Sequence, residues 1–218
     1  MGRPDPSARR GLLDPRVRSI KRIFDLVAAS FLMLLAFPFA LAIALAIVLE
    51  TRGPVFFGHM RVGRSHRPFR LWKFRSMVAN ADAALQKHLE QNPRDLAEWL
   101  NSHKLKNDPR VTRVGRWLRR SSLDELPQLW NVLCGDMSLV GPRPIVEEEI
   151  AKYGLEFSLY LQVSPGLTGL WQVSGRNDTS YRRRLDLDSE YIRNWTFRMD
   201  GMVLLRTIRV VLYGHGAY

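Results

Sequence analysis

Residues 26–49 read LVAASFLMLLAFPFALAIALAIVL, and this stretch decides the architecture of the chain. Only Ser30 and Pro38 within it are not apolar, and none of its residues is charged. A helix of this length covers about 36 Å, more than the roughly 30 Å hydrocarbon core of a bilayer. The run is too long for the apolar region of a cleaved signal peptide, which has about 7–15 residues. It therefore predicts a membrane segment, with a buried core helix as the alternative.

The charges of the 218-residue chain flank this apolar stretch. Lys and Arg number 33 and Asp and Glu 21, which gives a net charge of +12. Residues 1–25 carry seven Lys or Arg against three acids, and residues 50–75 carry seven against one. Basic residues on both flanks place both ends in the cytoplasm, and Pro38 at the centre breaks helical hydrogen bonding. We expect a Pro-broken, re-entrant helix, with a kinked spanning helix as the alternative.

The same distribution excludes other classes of protein. A nucleic-acid-binding protein would carry its basic residues over a folded face, whereas here most of the excess lies beside residues 26–49, so no nucleic acid is expected as a partner. The single cysteine, Cys134, excludes a disulfide framework and any zinc site with several thiolates.

The remainder of the chain predicts a mainly α protein with a small β-hairpin (α+β). Alternating residues indicate two short strands at 55–57 and 69–74, joined by a turn. Helical spacing indicates helices over 79–101 with an interruption at Pro93, then over 111–120, 128–133, 144–153, 179–195 and 199–213. The last is expected to be an interfacial amphipathic helix. We divide the chain into a basic, non-helical arm (1–19), the membrane helix (20–52) and a domain at the cytoplasmic face (53–218).

Asp124 and Glu125 are adjacent carboxylates and the first candidates for chemistry. Ser122 and Glu125 have the spacing of a capping box, which is the structural explanation of these residues. The functional explanation is a nucleophilic carboxylate beside a second carboxylate that holds Mg²⁺.

Four basic residues are candidates for binding phosphate. Arg143 lies between two prolines in the sequence GPRP, which fixes the backbone and suits bidentate binding of a phosphate. Arg176 follows a glycine and is a weaker candidate. Lys73 and Arg75 lie in a predicted strand close to the membrane. The alternatives are a structural salt bridge for Arg143 and a solvated or lipid-facing pair for Lys73 and Arg75.

Eight short motifs, taken in order, resemble those of the bacterial sugar transferases, the monotopic phosphoglycosyl transferases. They are KRIFD (21–25), GPVFF (53–57), KFRSM (73–77), DELPQ (124–128), GDMSLVGPRP (135–144), PGLTG (165–169), QVSGRN (172–177) and YIRNW (191–195). The resemblance implies transfer of a sugar 1-phosphate from a UDP-sugar to polyprenyl phosphate, with release of UMP. It further implies the first membrane step of exopolysaccharide, capsule or O-antigen synthesis.

The resemblance also implies roles for individual residues. Asp124 is the expected nucleophile, which forms an aspartyl phospho-sugar, and Glu125 is expected to bind Mg²⁺ together with it. Lys73, Arg143 and Arg176 match positions around the phosphates and the nucleotide. Either Asp186 or Asp188 matches a further acidic position.

The resemblance also implies a location: contact with membrane lipids at the bacterial inner membrane, with the catalytic domain on the cytoplasmic face. The competing function is a non-catalytic, basic protein that binds the membrane surface. That function explains the charge and the apolar stretch but not the acid pair together with GPRP.

Overall fold

The long N-terminal helix dominates the computed structural model, which describes residues 11–102, 105–175 and 179–213. Helix α1 runs from Pro15 to Thr51. Its first turn is set by Asp14, whose side chain accepts a hydrogen bond from the amide of Arg16, and by a proline at the first helical position. The helix therefore begins inside the segment 1–19 that we expected to be a non-helical arm.

The expected interruption at Pro38 is not observed, because α1 is one helix throughout. A proline removes a single main-chain hydrogen bond, and its clash with the preceding turn can be absorbed by a bend when the neighbours favour helix. Among the described residues, α1 is the one helix long and apolar enough to cross a membrane. Leu34 and Leu49 are 74% and 75% exposed, so protein does not cover the apolar surface.

Both ends of α1 nevertheless pack against the same domain. Near its start, Ala29 belongs to the main core. Near its end, Ile43 and Ile47 pack against Phe74 and Leu118. The carboxylate of Glu50 accepts hydrogen bonds from the first amides of helix α4 (Arg113–Ser121). The exposed middle of the helix therefore lies between two anchored ends.

A buried ion network holds the first of these ends. The ammonium of Lys21 lies 2.6 Å from Asp200 Oδ2 and 3.5 Å from Asp25 Oδ1. Tyr191 and Trp195 donate to Asp200 Oδ1 at 2.7 and 3.0 Å. Since a buried charge is costly unless it is paired and hydrogen-bonded, this network fixes α1 to the last two helices.

The predicted hairpin is confirmed, with β1 at Phe56–Val62 and β2 at Pro68–Phe74. The strands are antiparallel, and Phe56 pairs with Phe74 while Val62 pairs with Pro68. The strands are longer than predicted at the turn end, and Ser65 and His66 have positive φ in the turn.

Helices account for most of the remaining described residues. They are α2 (Ala81–Gln91), α3 (Pro93–Ser102), α4 (Arg113–Ser121), α5 (Gln128–Cys134), α6 (Ile150–Tyr153), α7 (Phe157–Tyr160), α8 (Tyr181–Asn194) and α9 (Phe197–Tyr213). The predicted break between α2 and α3 at Pro93 is confirmed, as is the end of α5 at Gly135, where φ is 93°. The single helix expected over 144–153 is wrong, because short helical turns occupy 147–160.

A parallel pair of short strands, which the sequence analysis missed, completes the fold. Strand β3 (Ser138–Val140) pairs with β4 (Gly166–Thr168). The backbones of Gly141 and Gly166 are in such close contact that a Cβ on Gly166 would lie 2.1 Å from the amide nitrogen of Gly141. This contact joins the GPRP and PGLTG motifs into one wall.

Candidate active site

Asp124 and Glu125 lie in a single 3₁₀ turn, Leu123–Glu125, between α4 and α5. The chain enters this turn through Ser122, which has a left-handed backbone (φ 56°, ψ 16°). The predicted capping box is wrong, because the Ser122 side chain makes no capping hydrogen bond. A non-glycine residue in this conformation costs free energy and marks a place where the surrounding structure holds the chain in a sharp turn.

Lys73 joins the two carboxylates. Its ammonium lies 2.7 Å from Glu125 Oε1 and 3.4 Å from Asp124 Oδ2. Lys73 comes from β2, so the hairpin supplies the cation and the turn supplies the acids. The structure brings Lys73 to the acid pair, which had been predicted as a unit from other residues.

Asp124 is buried, and this burial raises the pKa of its carboxyl group above the ordinary value. The charge of Lys73 opposes the increase, whereas the neighbouring Glu125 adds to it. The charge of Arg119 also favours the carboxylate. The ionised form that a nucleophile requires therefore depends on nearby cations.

Asn131 sets the distance between the hairpin and the acid pair. Its side-chain oxygen accepts from the amide of Trp72 at 3.0 Å, and its nitrogen donates to the carbonyl of Arg70 at 2.8 Å. Asn131 is 1% exposed and lies on α5, directly after the turn that carries the acids. It therefore positions β2, and with it Lys73.

The acid pair opens into a cavity of about 860 Å³. Six Lys or Arg residues and three acids contribute to its lining: Arg61, Lys73, Arg75, Arg110, Arg119, Arg143, Asp82, Asp124 and Glu125. Because the lining carries more positive than negative charge, the cavity attracts anions. Its size falls within the range of small-molecule sites.

Arg143 lies on the wall formed by the two glycine motifs. Its guanidinium is 5.4 Å from the ring centroid of Trp171, and that of Arg184 is 5.1 Å from the same centroid. Gly166, Leu167 and Trp171 line the cavity beside it. Arg143 makes no ion pair with a described residue, so the predicted alternative of a structural salt bridge is not observed.

The two further acids have different environments. Asp186 is on the exposed face of α8 and pairs with Arg182 at 3.3 Å. Asp188 is 3% exposed, accepts a hydrogen bond from Tyr153 and lies near Arg184. Burial raises the pKa of Asp188 to about 7, against the opposing effects of Arg184, Tyr153 and Arg143. Asp188 is therefore the acid that lies behind Arg143, and neither acid lines the main cavity.

Arg75 also lines the cavity, at the end of β2 nearest to α1. It is 6% exposed and donates a hydrogen bond to the hydroxyl of Thr51. Arg176 lies outside the described residues.

The acid pair has the composition of a magnesium site that is completed by substrate. No group of three or more His, Cys, Asp or Glu that could hold a metal is present in residues 11–102, 105–175 and 179–213. Mg²⁺ commonly uses one or two carboxylates together with substrate phosphates and water. Asp124 and Glu125 fit that pattern and do not fit a site made of protein ligands alone.

Residues of the site that the sequence patterns did not indicate include Arg61, Asp82, Arg110, Arg119, Asn131, Trp171 and Arg184. Arg119 carries no motif, and only its position on the polar face of α4 would have indicated it. Trp171 lies between the PGLTG and QVSGRN motifs, and neither motif includes it.

The site therefore combines a cationic cavity and a buried carboxylate, and it lies in the same chain as a long apolar helix. The family model described as bacterial sugar transferase matches residues 16–214, and the chain belongs to this family.

Individual relatives cover most of the chain. It is 51% identical over 201 residues to the UDP-galactose-lipid carrier transferase of Erwinia amylovora. It is 49% identical over 201 residues to the undecaprenyl-phosphate galactose phosphotransferase of Salmonella typhimurium. Each match covers 92% of this chain and 42% of the relative. The chain is also 45% identical over 208 residues to the exopolysaccharide production protein ExoY of Rhizobium meliloti, covering 95% of this chain and 92% of the relative.

Proposed function

We propose that the protein is a phosphoglycosyl transferase that moves a sugar 1-phosphate from a UDP-sugar to polyprenyl phosphate. The observation that carries this proposal is the pair of Asp124 and Glu125, bridged by Lys73 within one cationic cavity. The relatives named for undecaprenyl phosphate, for a lipid carrier and for exopolysaccharide production support it. The products are a polyprenyl-diphosphate-sugar and UMP.

The first step is attack by an Asp124 carboxylate oxygen on the phosphorus bonded to the sugar. The bond from this phosphorus to the bridging oxygen breaks, and UMP leaves with the electron pair. An aspartyl phospho-sugar remains. Phosphoryl transfer depends mainly on positioning and charge stabilisation, and Lys73, Arg119 and Arg143 supply positive charge around the reacting group.

The second step returns Asp124 to its starting state. An oxygen of polyprenyl phosphate attacks the same phosphorus, and the bond to the aspartate oxygen breaks. The lipid substrate requires a site at the membrane surface. We infer that α1 keeps both of its ends on one side of the membrane, the cytoplasmic side of the inner membrane, because both ends pack against one domain.

Mg²⁺ is the expected cofactor, held by Asp124 and Glu125 together with substrate phosphates. When bound, it would neutralise negative charge on the phosphates. Lys73 already neutralises the same carboxylates and keeps them close together.

The experiment is to measure UMP release by the protein in detergent, with Mg²⁺, polyprenyl phosphate and a panel of UDP-sugars. Asp124→Asn should abolish release without changing the unfolding temperature by more than a few degrees. Asp186→Asn is the matched control and should retain activity, because an exposed ion pair contributes little. Absence of UMP release by the unmodified protein with every sugar would refute the proposal, as would wild-type activity of Asp124→Asn.

A further inference from the structure

We propose that Arg75 binds the phosphate of the lipid acceptor, and that the cavity has a separate acceptor end. This inference rests on the proposed function and assigns one part of the site to one substrate. It concerns the region where β2 ends and the apolar helix α1 ends.

Arg75 is a buried cation whose donors are only partly used. It is 6% exposed, and its Nε and Nη1 atoms have no hydrogen-bond partner in the structure. Its side chain forms no ion pair with an acid among the described residues. An unpaired buried charge is costly. An arrangement of this kind is typical of a side chain that acquires its counter-ion from a ligand, and a guanidinium suits phosphate.

The structure around Arg75 leaves room for the guanidinium and fixes its position. Its amide donates to the carbonyl of Val55 at 2.8 Å, and its Nη2 donates to the hydroxyl of Thr51. A Cβ on Gly53 would lie 2.2 Å from Nη1, so a glycine here lets the guanidinium keep its present position. The last residues of α1 and the GPVFF segment therefore hold Arg75 in place.

The surroundings of Arg75 favour the lipid substrate over the nucleotide. Pro54, Phe56 and Phe57 line the cavity at this end, and the two phenylalanines are 51% and 53% exposed. Exposed aromatic residues beside the end of an apolar helix suit contact with a prenyl chain. Arg143 and Trp171 belong to the wall built by the glycine motifs, and we assign that wall to the nucleotide.

The chemistry of the second step requires a cation at this place. The acceptor phosphate is an anion, and it must approach an aspartyl phospho-sugar that is also anionic. The guanidinium of Arg75 supplies positive charge for the acceptor oxygens that do not attack. The attacking oxygen then forms the new bond to phosphorus while the bond to Asp124 breaks.

Separate measurement of the two half-reactions tests this assignment. Exchange of labelled UMP into UDP-sugar needs no acceptor and reports on the first step. Formation of polyprenyl-diphosphate-sugar reports on both steps. For Arg75→Gln we expect the exchange rate to remain within about twofold of the unmodified protein, and the KM for polyprenyl phosphate to rise about 10- to 100-fold, the range for hydrogen bonds to charged groups.

Two further variants control for misfolding and for the loss of bulk charge. Thr51→Val keeps the shape of the side chain and removes the hydrogen bond to Arg75, and it should raise the same KM by a smaller factor. Arg70→Gln removes an exposed charge from the same strand, outside the cavity, and should leave both half-reactions unchanged.

The outcomes separate this inference from the proposed function. If the unmodified protein gives neither exchange nor transfer, the proposed function fails. If it gives both, two results would overturn the role of Arg75 alone. One is exchange that falls as strongly as transfer in Arg75→Gln, which would place Arg75 on the donor. The other is an unchanged KM for polyprenyl phosphate in both Arg75→Gln and Thr51→Val.

Discussion

Replacing Lys73 with methionine should move the acid limb of the pH–activity profile to higher pH. Methionine keeps the length of the side chain and removes the ammonium that lies 3.4 Å from Asp124. Burial already raises the pKa of Asp124, and Lys73 is the largest influence that opposes this increase. Without Lys73, the carboxyl group should hold its proton to higher pH and so lose its nucleophilic form.

The size of the shift follows from the same distance. Two unit charges at 3.4 Å interact by about 5 kcal/mol at an effective dielectric constant of 20. The side chain of Lys73 is 31% exposed, so solvent screening reduces this value to about 1.5–3 kcal/mol. Since about 1.4 kcal/mol corresponds to one pH unit, the acid limb should move upward by roughly 1–2 units.

The assay is UMP release by Lys73→Met and the unmodified protein, measured as kcat/KM from about pH 5 to about pH 9. The variant should lose most activity at low pH and recover part of it at high pH. A profile reduced by the same factor at every pH, with its acid midpoint unchanged, would refute the reasoning. That result would mean that Lys73 acts on the substrate alone.

Three other substitutions test the structure around the site. Gly166→Ala should lower the thermal unfolding midpoint by several degrees, because its Cβ would meet the backbone of Gly141. Gly201→Ala should raise the midpoint slightly, because a Cβ there would meet nothing within 4 Å and alanine favours helix. Equal effects of the two substitutions would contradict the close contact. Asn131→Ala should destabilise the protein by about 2–4 kcal/mol and reduce kcat, since two main-chain groups of β2 lose their partner; an unchanged midpoint in a denaturation curve would count against this role. Asp188 has a pKa raised from 3.8 to about 7, so the folded state keeps a proton that the unfolded state loses, and the free energy of unfolding should fall as the pH rises from about 4 to 7. Asp188→Asn should flatten this pH dependence in unfolding measurements. An equally steep pH dependence in the variant would contradict the assignment to Asp188.

Local sequence patterns predicted the parts of the fold that depend on local rules. The alternation of residues predicted the hairpin, and Gly135 predicted the end of α5, because each feature depends on a few neighbouring residues. The start of α1 had a signal too, since an aspartate before a proline is typical of a helix beginning. That signal was outweighed by the composition of the arm.

Features that depend on distant contacts were not predictable from a single sequence. Strands β3 and β4 have three residues each and pair across a long separation, so no periodicity indicates them. The choice between Asp186 and Asp188 depends on which face of α8 is buried. Residues two positions apart on a helix point about 200° apart around its axis, so only one of the two acids can face the core. Asn131 has an ordinary sequence context, and only the register of β2 beside α5 gives it a role.

The ion network at the start of α1 also has a consequence for the order in which the chain assembles. Lys21 and Asp200 are separated by 179 positions. At about 5–20 residues per second, a ribosome needs roughly 10–35 s to make the chain between them. The apolar helix is thus complete and available to lipid long before its anchoring carboxylate exists. Closure of the last two helices onto the start of α1 must therefore come late in the assembly of the chain.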